Sequence, residues 1–143
     1  MTKVLVDANI LISAIRFPDG KVADAFWHAQ KIHKIALTTF IIDGLQATFA
    51  RKWPDKIDDL VAFMSTIKLE IIPEFDDTKV EIRDTDDQPI LNAALAANVD
   101  IILTGDKDFH ALDLSAQGYS RPRILTPREY LDEFPVTTSS STT

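Results

Sequence analysis

The stretch Ile101-Ile102-Leu103-Thr104-Gly105-Asp106-Lys107-Asp108 joins an unbroken apolar run to two closely spaced acids. A short run without polar alternation reads as a strand buried on both faces, the pattern of a parallel sheet covered by helices. Residues 3–6, Lys3-Val4-Leu5-Val6, form a similar run, and it too ends on an acid, Asp7. Further short β-rich runs lie at 35–38, 69–72 and 124–125. Helix-period segments separate them, which predicts an α/β domain whose central parallel sheet is covered by helices.

The helical segments carry their own signatures. In 20–30, Val22, Phe26 and Ala29 share one face, and in 40–52 Ile41, Leu45 and Phe49 recur at four-residue spacing. Pro54 separates the latter from a helix carrying Ile57, Leu60, Val61 and Met64, with Asp58 and Asp59 in the first turn, where the helix dipole favours anions. Residues 90–97 are rich in alanine and suit close packing on a sheet. Thr126, Pro127 and Glu129 make a capping box with proline at the first helical position. The acid-rich stretch 76–87 reads as a surface loop. Near the N-terminus, Asp7 and Asn9 interrupt an otherwise apolar run to Ile15, so the run reads as a strand leading into a helix and not as a signal peptide.

The 143 residues suit one domain, expected over 1–135, followed by a low-complexity Ser/Thr tail at 136–143 expected to be disordered. No stretch approaches the length of a membrane span. The absence of cysteine excludes disulfides and thiolate-bound zinc and suits a reducing cytoplasm. A net charge of −7 argues against a broad electrostatic grip on nucleic acid, unless part of it belongs to carboxylates that divalent cations offset.

Such carboxylates are present. Asp7 follows the first strand, Asp106 and Asp108 follow the strand at 101–104, and Asp87 stands at the start of the alanine-rich helix. In open α/β sheets the carboxyl ends of the strands form the ligand crevice, so these acids are expected to converge. Clustered oxygen donors without His or Cys suit Mg²⁺ or Mn²⁺, which can activate water and clamp a phosphodiester. Each aspartate taken singly is also an ordinary turn former or helix cap. His28, His33 and His110 look scattered, and Trp27 and Trp53 adjoin helical apolar faces. Lys107 lies between two acids, while Arg51, Lys52, Arg121, Arg123 and Arg128 read as phosphate contacts or as solubilising charge.

Beyond these patterns the chain resembles a known family. Asp7-Ala8-Asn9-Ile10-Leu11-Ile12-Ser13-Ala14 is similar to the opening motif of PIN domains. Arg83-Asp84-Thr85-Asp86-Asp87-Gln88-Pro89-Ile90 with Ala93-Ala94-Leu95-Ala96 resembles their third acidic motif, and Leu103-Thr104-Gly105-Asp106-Lys107-Asp108-Phe109 the fourth. Thr126-Pro127-Arg128-Glu129-Tyr130-Leu131 resembles their closing segment. The resemblance implies a doubly wound, three-layer domain and a Mg²⁺- or Mn²⁺-dependent endoribonuclease of the prokaryotic toxin-like (VapC-type) branch. It implies single-stranded RNA as substrate, a cognate antitoxin as partner and a homodimer. Carried over by position, Asp7, Asp87 and Asp106 bind metal, Asp108 is an auxiliary acid, and Asn9 and Thr104 orient ligands by hydrogen bonds. One position departs from the pattern. Where the family places a glutamate before Leu45, this chain has Gly44, with Asp43 next door as a possible substitute acid about 100° away around the helix.

Three functional classes are compatible with these features. The first is the ribonuclease. The second is a catalytically weakened PIN domain that binds RNA or protein, which Gly44 would favour. The third is a receiver-like or phosphatase-like domain. A receiver requires an acceptor aspartate after the third strand, where the chain has Ile71-Ile72-Pro73, and a haloacid-dehalogenase-type enzyme requires an acid where it has Asn9.

Overall fold

The computed structural model describes residues 1–135; the tail at 136–143 lies outside the described residues. Five strands form one all-parallel sheet: β1 (Lys3–Val6), β2 (Lys34–Thr38), β3 (Leu69–Ile72), β4 (Ile101–Leu103) and β5 (Arg123–Leu125). Their spatial order is β3-β2-β1-β4-β5. From β1 the chain steps outward to β2 and β3, then returns to place β4 on the other side of β1. The strand order therefore reverses between β1 and β4, and the crevice of such a sheet opens at their carboxyl ends.

Register decides which residues meet there. Val6 pairs with Leu103 across β1 and β4, so the residues that step off these strands, Asp7 and Thr104, are neighbours. The Asp7 amide donates to the Leu103 carbonyl at 3.1 Å, and the Thr104 amide donates to the Leu125 carbonyl at 3.0 Å. Val4, Leu5, Val6, Ile101, Ile102 and Leu103 are all buried, as the unbroken apolar runs predict for central parallel strands. The edge strand β3 is looser, with Ile71 exposed.

Among the described residues, seven α-helices flank the sheet: α1 (Ala8–Arg16), α2 (Lys21–Ile32), α3 (Thr39–Lys52), α4 (Ile57–Thr66), α5 (Gln88–Ala96), α6 (Lys107–His110) and α7 (Pro127–Glu133). Ile41, Leu45 and Phe49 form the buried stripe of α3, as their spacing predicts. In α5, Ile90, Leu91, Ala93 and Ala94 are buried in the core. The Thr126 capping box of α7 is formed in full. One turn of helix, α6, follows β4, and the Asp106 side chain caps it by accepting from the Asp108 amide.

The acid-rich stretch before α5 is irregular but anchored. Val80 and Ile82 are buried. The Gln88 side chain accepts from the Ile82 amide at 3.1 Å and donates to the Val80 carbonyl at 2.8 Å. Asn92 accepts from Gln88 at 2.9 Å and donates to the Thr78 hydroxyl at 3.0 Å. Two amide side chains on α5 thus pin the loop that carries Arg83, Asp84 and Asp87.

Candidate metal centre

Two of the four sequence-predicted acids stand where a helix cap would stand and do not act as one. Asp7 occupies the N-cap position of α1 and Asp87 that of α5, yet neither side chain makes a capping hydrogen bond. The Asp7 carboxylate instead accepts from the Thr104 hydroxyl at 2.8 Å. That hydroxyl accepts in turn from the Asp106 amide at 3.0 Å. Thr104, fully buried at the end of β4, therefore joins the first and last acids of the crevice. His110 holds the same residue from behind, its Nε2 lying 2.8 Å from the Thr104 carbonyl oxygen.

On the other side of the crevice, carboxylate oxygens of Asp84, Asp87 and Asp108 all lie within 4.8 Å of one another. Oxygens bound to one hard cation at 2.0–2.6 Å can be separated by at most about 5 Å. Asp84 lies in the acid-rich stretch that the sequence presents as a surface loop. Its signal was its place three residues before Asp87, with the turn closed by the Asp87 amide on the Asp84 carbonyl at 3.0 Å.

The electrostatics of the cluster are unfavourable. Asp7 and Asp87 are both buried. Burial pushes the Asp7 carboxyl above its ordinary value, the Thr104 hydroxyl and the amides of Ala8 and Asn9 oppose the shift, and the charge of Asp106 adds to it. Asp87 is pushed up to about 8, first by burial, then by a hydrogen bond with Asp106 that its protonated form makes, then by the charges of Asp106, Asp84 and Asp7. Its Oδ2 is buried without a hydrogen-bond partner. A buried orphan oxygen facing four further aspartates is costly to leave unmatched. An all-carboxylate donor set suits a hard divalent cation, so the residues present fit such an ion.

The remaining expected site residues are placed differently. The Asn9 side chain is exposed and, with Ser13, Gly105 and Asp106, lines a shallow pocket beside the cluster. Asp43 and Gly44 are exposed on α3, and Asp43 is not among the charges that act on Asp7 or Asp87. The space beside Gly44 is open: a β-carbon there would meet nothing within 4 Å. Lys107 makes no ion pair among the described residues.

The PIN domain family matches residues 3–108, about three quarters of the chain. The chain belongs to the PIN domain family. Among curated proteins, an uncharacterized protein of Methanocaldococcus jannaschii is 27% identical over 146 residues, covering 92% of this chain and 91% of that protein. Among solved structures, VapBC2 of Rickettsia felis bound to a DNA fragment from its promoter is similar with a TM-score of 0.62. It has 18% identity and covers 87% of this chain and 98% of its own. DNA-bound VapBC of Salmonella typhimurium gives 0.64 at 14% identity, with 89% and 99% covered. At these identities the likeness concerns the fold, and the PIN arrangement of five parallel strands flanked by helices is the one described above. As a PIN domain, the chain carries its acids at the edge where the strand order reverses. No helix among the described residues is long and apolar enough to cross a membrane.

Proposed function

We propose that this PIN domain is a Mg²⁺- or Mn²⁺-dependent endoribonuclease that cuts single-stranded RNA, and that it is the toxin component of a toxin–antitoxin pair. The observation that carries the reading is the buried, unpartnered Oδ2 of Asp87 within a group of aspartates that repel each other. Asp7, Asp87 and Asp106 are the residues proposed to hold the metal, with Asp108 as an auxiliary acid. Asp84 joins them on the strength of its distance to Asp87 and Asp108. A divalent cation in this cluster supplies an activated water and neutralises charge on the phosphodiester.

The chain's own residues do the positioning. Thr104 orients Asp7 by donating to it, and its contact with the Asp106 amide fixes the turn that aims Asp106. The exposed Asn9 side chain, beside the pocket next to Asp106, is placed to hydrogen-bond RNA or a ligand water. The antitoxin partner is proposed from the likeness to VapBC assemblies, and a homodimer from the family resemblance.

The second reading, a binding module with weakened catalysis, is favoured by one observation: Gly44 and the exposed Asp43 leave α3 without an acid in the cluster. Cleavage of an unstructured oligoribonucleotide in Mn²⁺ separates the two. The ribonuclease reading expects cutting by wild type and a loss of about 10²–10⁴-fold in Asp87→Asn or Asp7→Asn. Binding without cutting in wild type would establish the module instead.

A further inference from the structure

Arg83 is the one cation that the described residues bring onto the acid cluster. Its Nε donates to Asp108 Oδ1 at 2.8 Å and its Nη2 to Asp108 Oδ2 at 2.7 Å. The other ion pairs among the described residues end on Glu70, Asp77, Asp100, Glu129 or Glu133, none of them in the cluster. The two partners differ in exposure: the side chain of Asp108 is 14% exposed and that of Arg83 81%. A guanidinium has five N–H donors. Asp108 takes two on its inner edge, which leaves both hydrogens of Nη1 and one of Nη2 toward solvent at the mouth of the site.

The backbone holds this side chain in place. On one side, buried Ile82 has its amide fixed by Gln88. On the other, the Asp84 carboxylate accepts from the Asp86 amide at 2.9 Å, closing the turn. The Arg83–Asp108 pair is exposed on the arginine side, and such pairs contribute little to a fold. The substrate proposed above is a polyanion approaching five aspartates. Even two divalent cations would leave that cluster no more than neutral, so the incoming phosphate needs a further positive group. The guanidinium fork that fits a carboxylate also fits a phosphate.

We propose that Arg83 is the phosphate-holding residue of this site: one edge of its guanidinium is locked on Asp108 and the other grips the RNA backbone at the rim of the carboxylate cluster. The proposal rests on the ribonuclease reading and adds a residue to it. The opposite role, a plug that keeps cations off Asp108, makes contrary predictions. Removing a plug tightens metal binding and leaves RNA binding intact. Removing a clamp weakens RNA binding, whatever the change in metal affinity.

The test uses the full chain as wild type, Arg83→Gln and Arg83→Lys, with a fluorescein-labelled unstructured oligoribonucleotide. Binding is followed by anisotropy in Ca²⁺ across a salt series, Mn²⁺ affinity by calorimetry, and cleavage in Mn²⁺. For Arg83→Gln, the clamp predicts RNA binding weaker by roughly ten- to a hundredfold. It also predicts a salt slope smaller by about 0.7, the value of one single-strand phosphate contact. Arg83→Lys keeps the slope but not the full affinity, because an ammonium lacks the fork. A wild type that binds and cuts RNA while Arg83→Gln matches it in affinity and slope overturns the clamp and leaves the ribonuclease standing. Tighter Mn²⁺ binding with unchanged RNA affinity in Arg83→Gln makes the residue a plug. A wild type that neither binds nor cuts RNA overturns the ribonuclease reading and the clamp with it.

Discussion

The two edges of the same sheet treat their acids in opposite ways. At the amino edge, Asp100 accepts from the Lys3 amide at 2.8 Å and from Arg121 at 3.0 Å, and these contacts hold its carboxyl below the usual range. Glu70 lies between Lys3 and Lys34, at 3.4 and 3.5 Å. Glu133 is paired with Arg123, which lowers its carboxyl as well. At the carboxyl edge, Asp7 and Asp87 are raised by burial and by their neighbours' charges, and a single arginine touches the rim. The chain places cations against acids where folding alone is at stake. Where it leaves them crowded, a bound cation would supply the matching charge.

The largest effect expected from this contrast is on metal affinity. Thr104→Val removes the hydroxyl that joins Asp7 to the Asp106 amide while keeping the shape of the side chain. It is expected to weaken Mn²⁺ binding by about 10–100-fold, the usual range for a residue that orients metal ligands. Calorimetric titration measures this, and an unchanged affinity would mean that Thr104 serves the fold alone.

The edges should also respond oppositely to pH in the metal-free protein. Asp87 has a folded-state value raised to about 8, so between about pH 4 and 8 the folded state binds more protons than the unfolded chain. Stability from this group therefore falls as pH rises through that window and stays low above it. Asp100 is lowered, so its contribution is present above its ordinary value near 4 and is lost as pH falls through its folded value. Urea denaturation in EDTA from pH 3 to 9 should show the fall at high pH removed by Asp87→Asn and the loss at low pH reduced by Asp100→Asn. If Asp87→Asn leaves the high-pH fall in place, the crowding at the carboxyl edge is not its origin.

The smallest expected effect concerns α3. The open space beside Gly44 means that Gly44→Glu meets no steric barrier, and helix propensity alone should stabilise the protein by ~0.5–1 kcal/mol. With a glutamate at the position to which the resemblance assigns one, Mn²⁺-dependent cleavage should rise above wild type. Melting and cleavage assays on the same preparation read both, and a stabilised variant whose cleavage is unchanged would mean that α3 takes no part in the site.

Much of this architecture is legible in the amino-acid sequence. The unbroken runs at 3–6 and 101–104 announce central parallel strands, and the stripe Ile41, Leu45, Phe49 announces the buried face of α3. Asp7 and Asp106 follow strands whose pairing brings them to one edge. Asp84 was less legible, because an acid beside Asp86 and Asp87 looks like solvated loop charge until Gln88 and Asn92 are seen to pin the loop. His110 looked like a scattered histidine, since its contact with the Thr104 carbonyl depends on the single turn α6. Its neighbours in type, His28 and His33, gather around Tyr130 on α7, His28 lying 2.7 Å from the tyrosine hydroxyl. Those contacts join segments a hundred residues apart, and no local pattern encodes them.

The central claim is that the carboxyl edge is built for a divalent cation. Its most direct test is thermal melting of the metal-free protein during titration with Mn²⁺, for wild type and Asp87→Asn. A ligand at a hundred times its dissociation constant stabilises the folded state by about 2.7 kcal/mol. Wild type should therefore melt several degrees higher in saturating Mn²⁺, while Asp87→Asn should melt higher than wild type in EDTA and gain little from the ion. A wild type that gains nothing from Mn²⁺ or Mg²⁺, or a variant that gains as much, would contradict the claim.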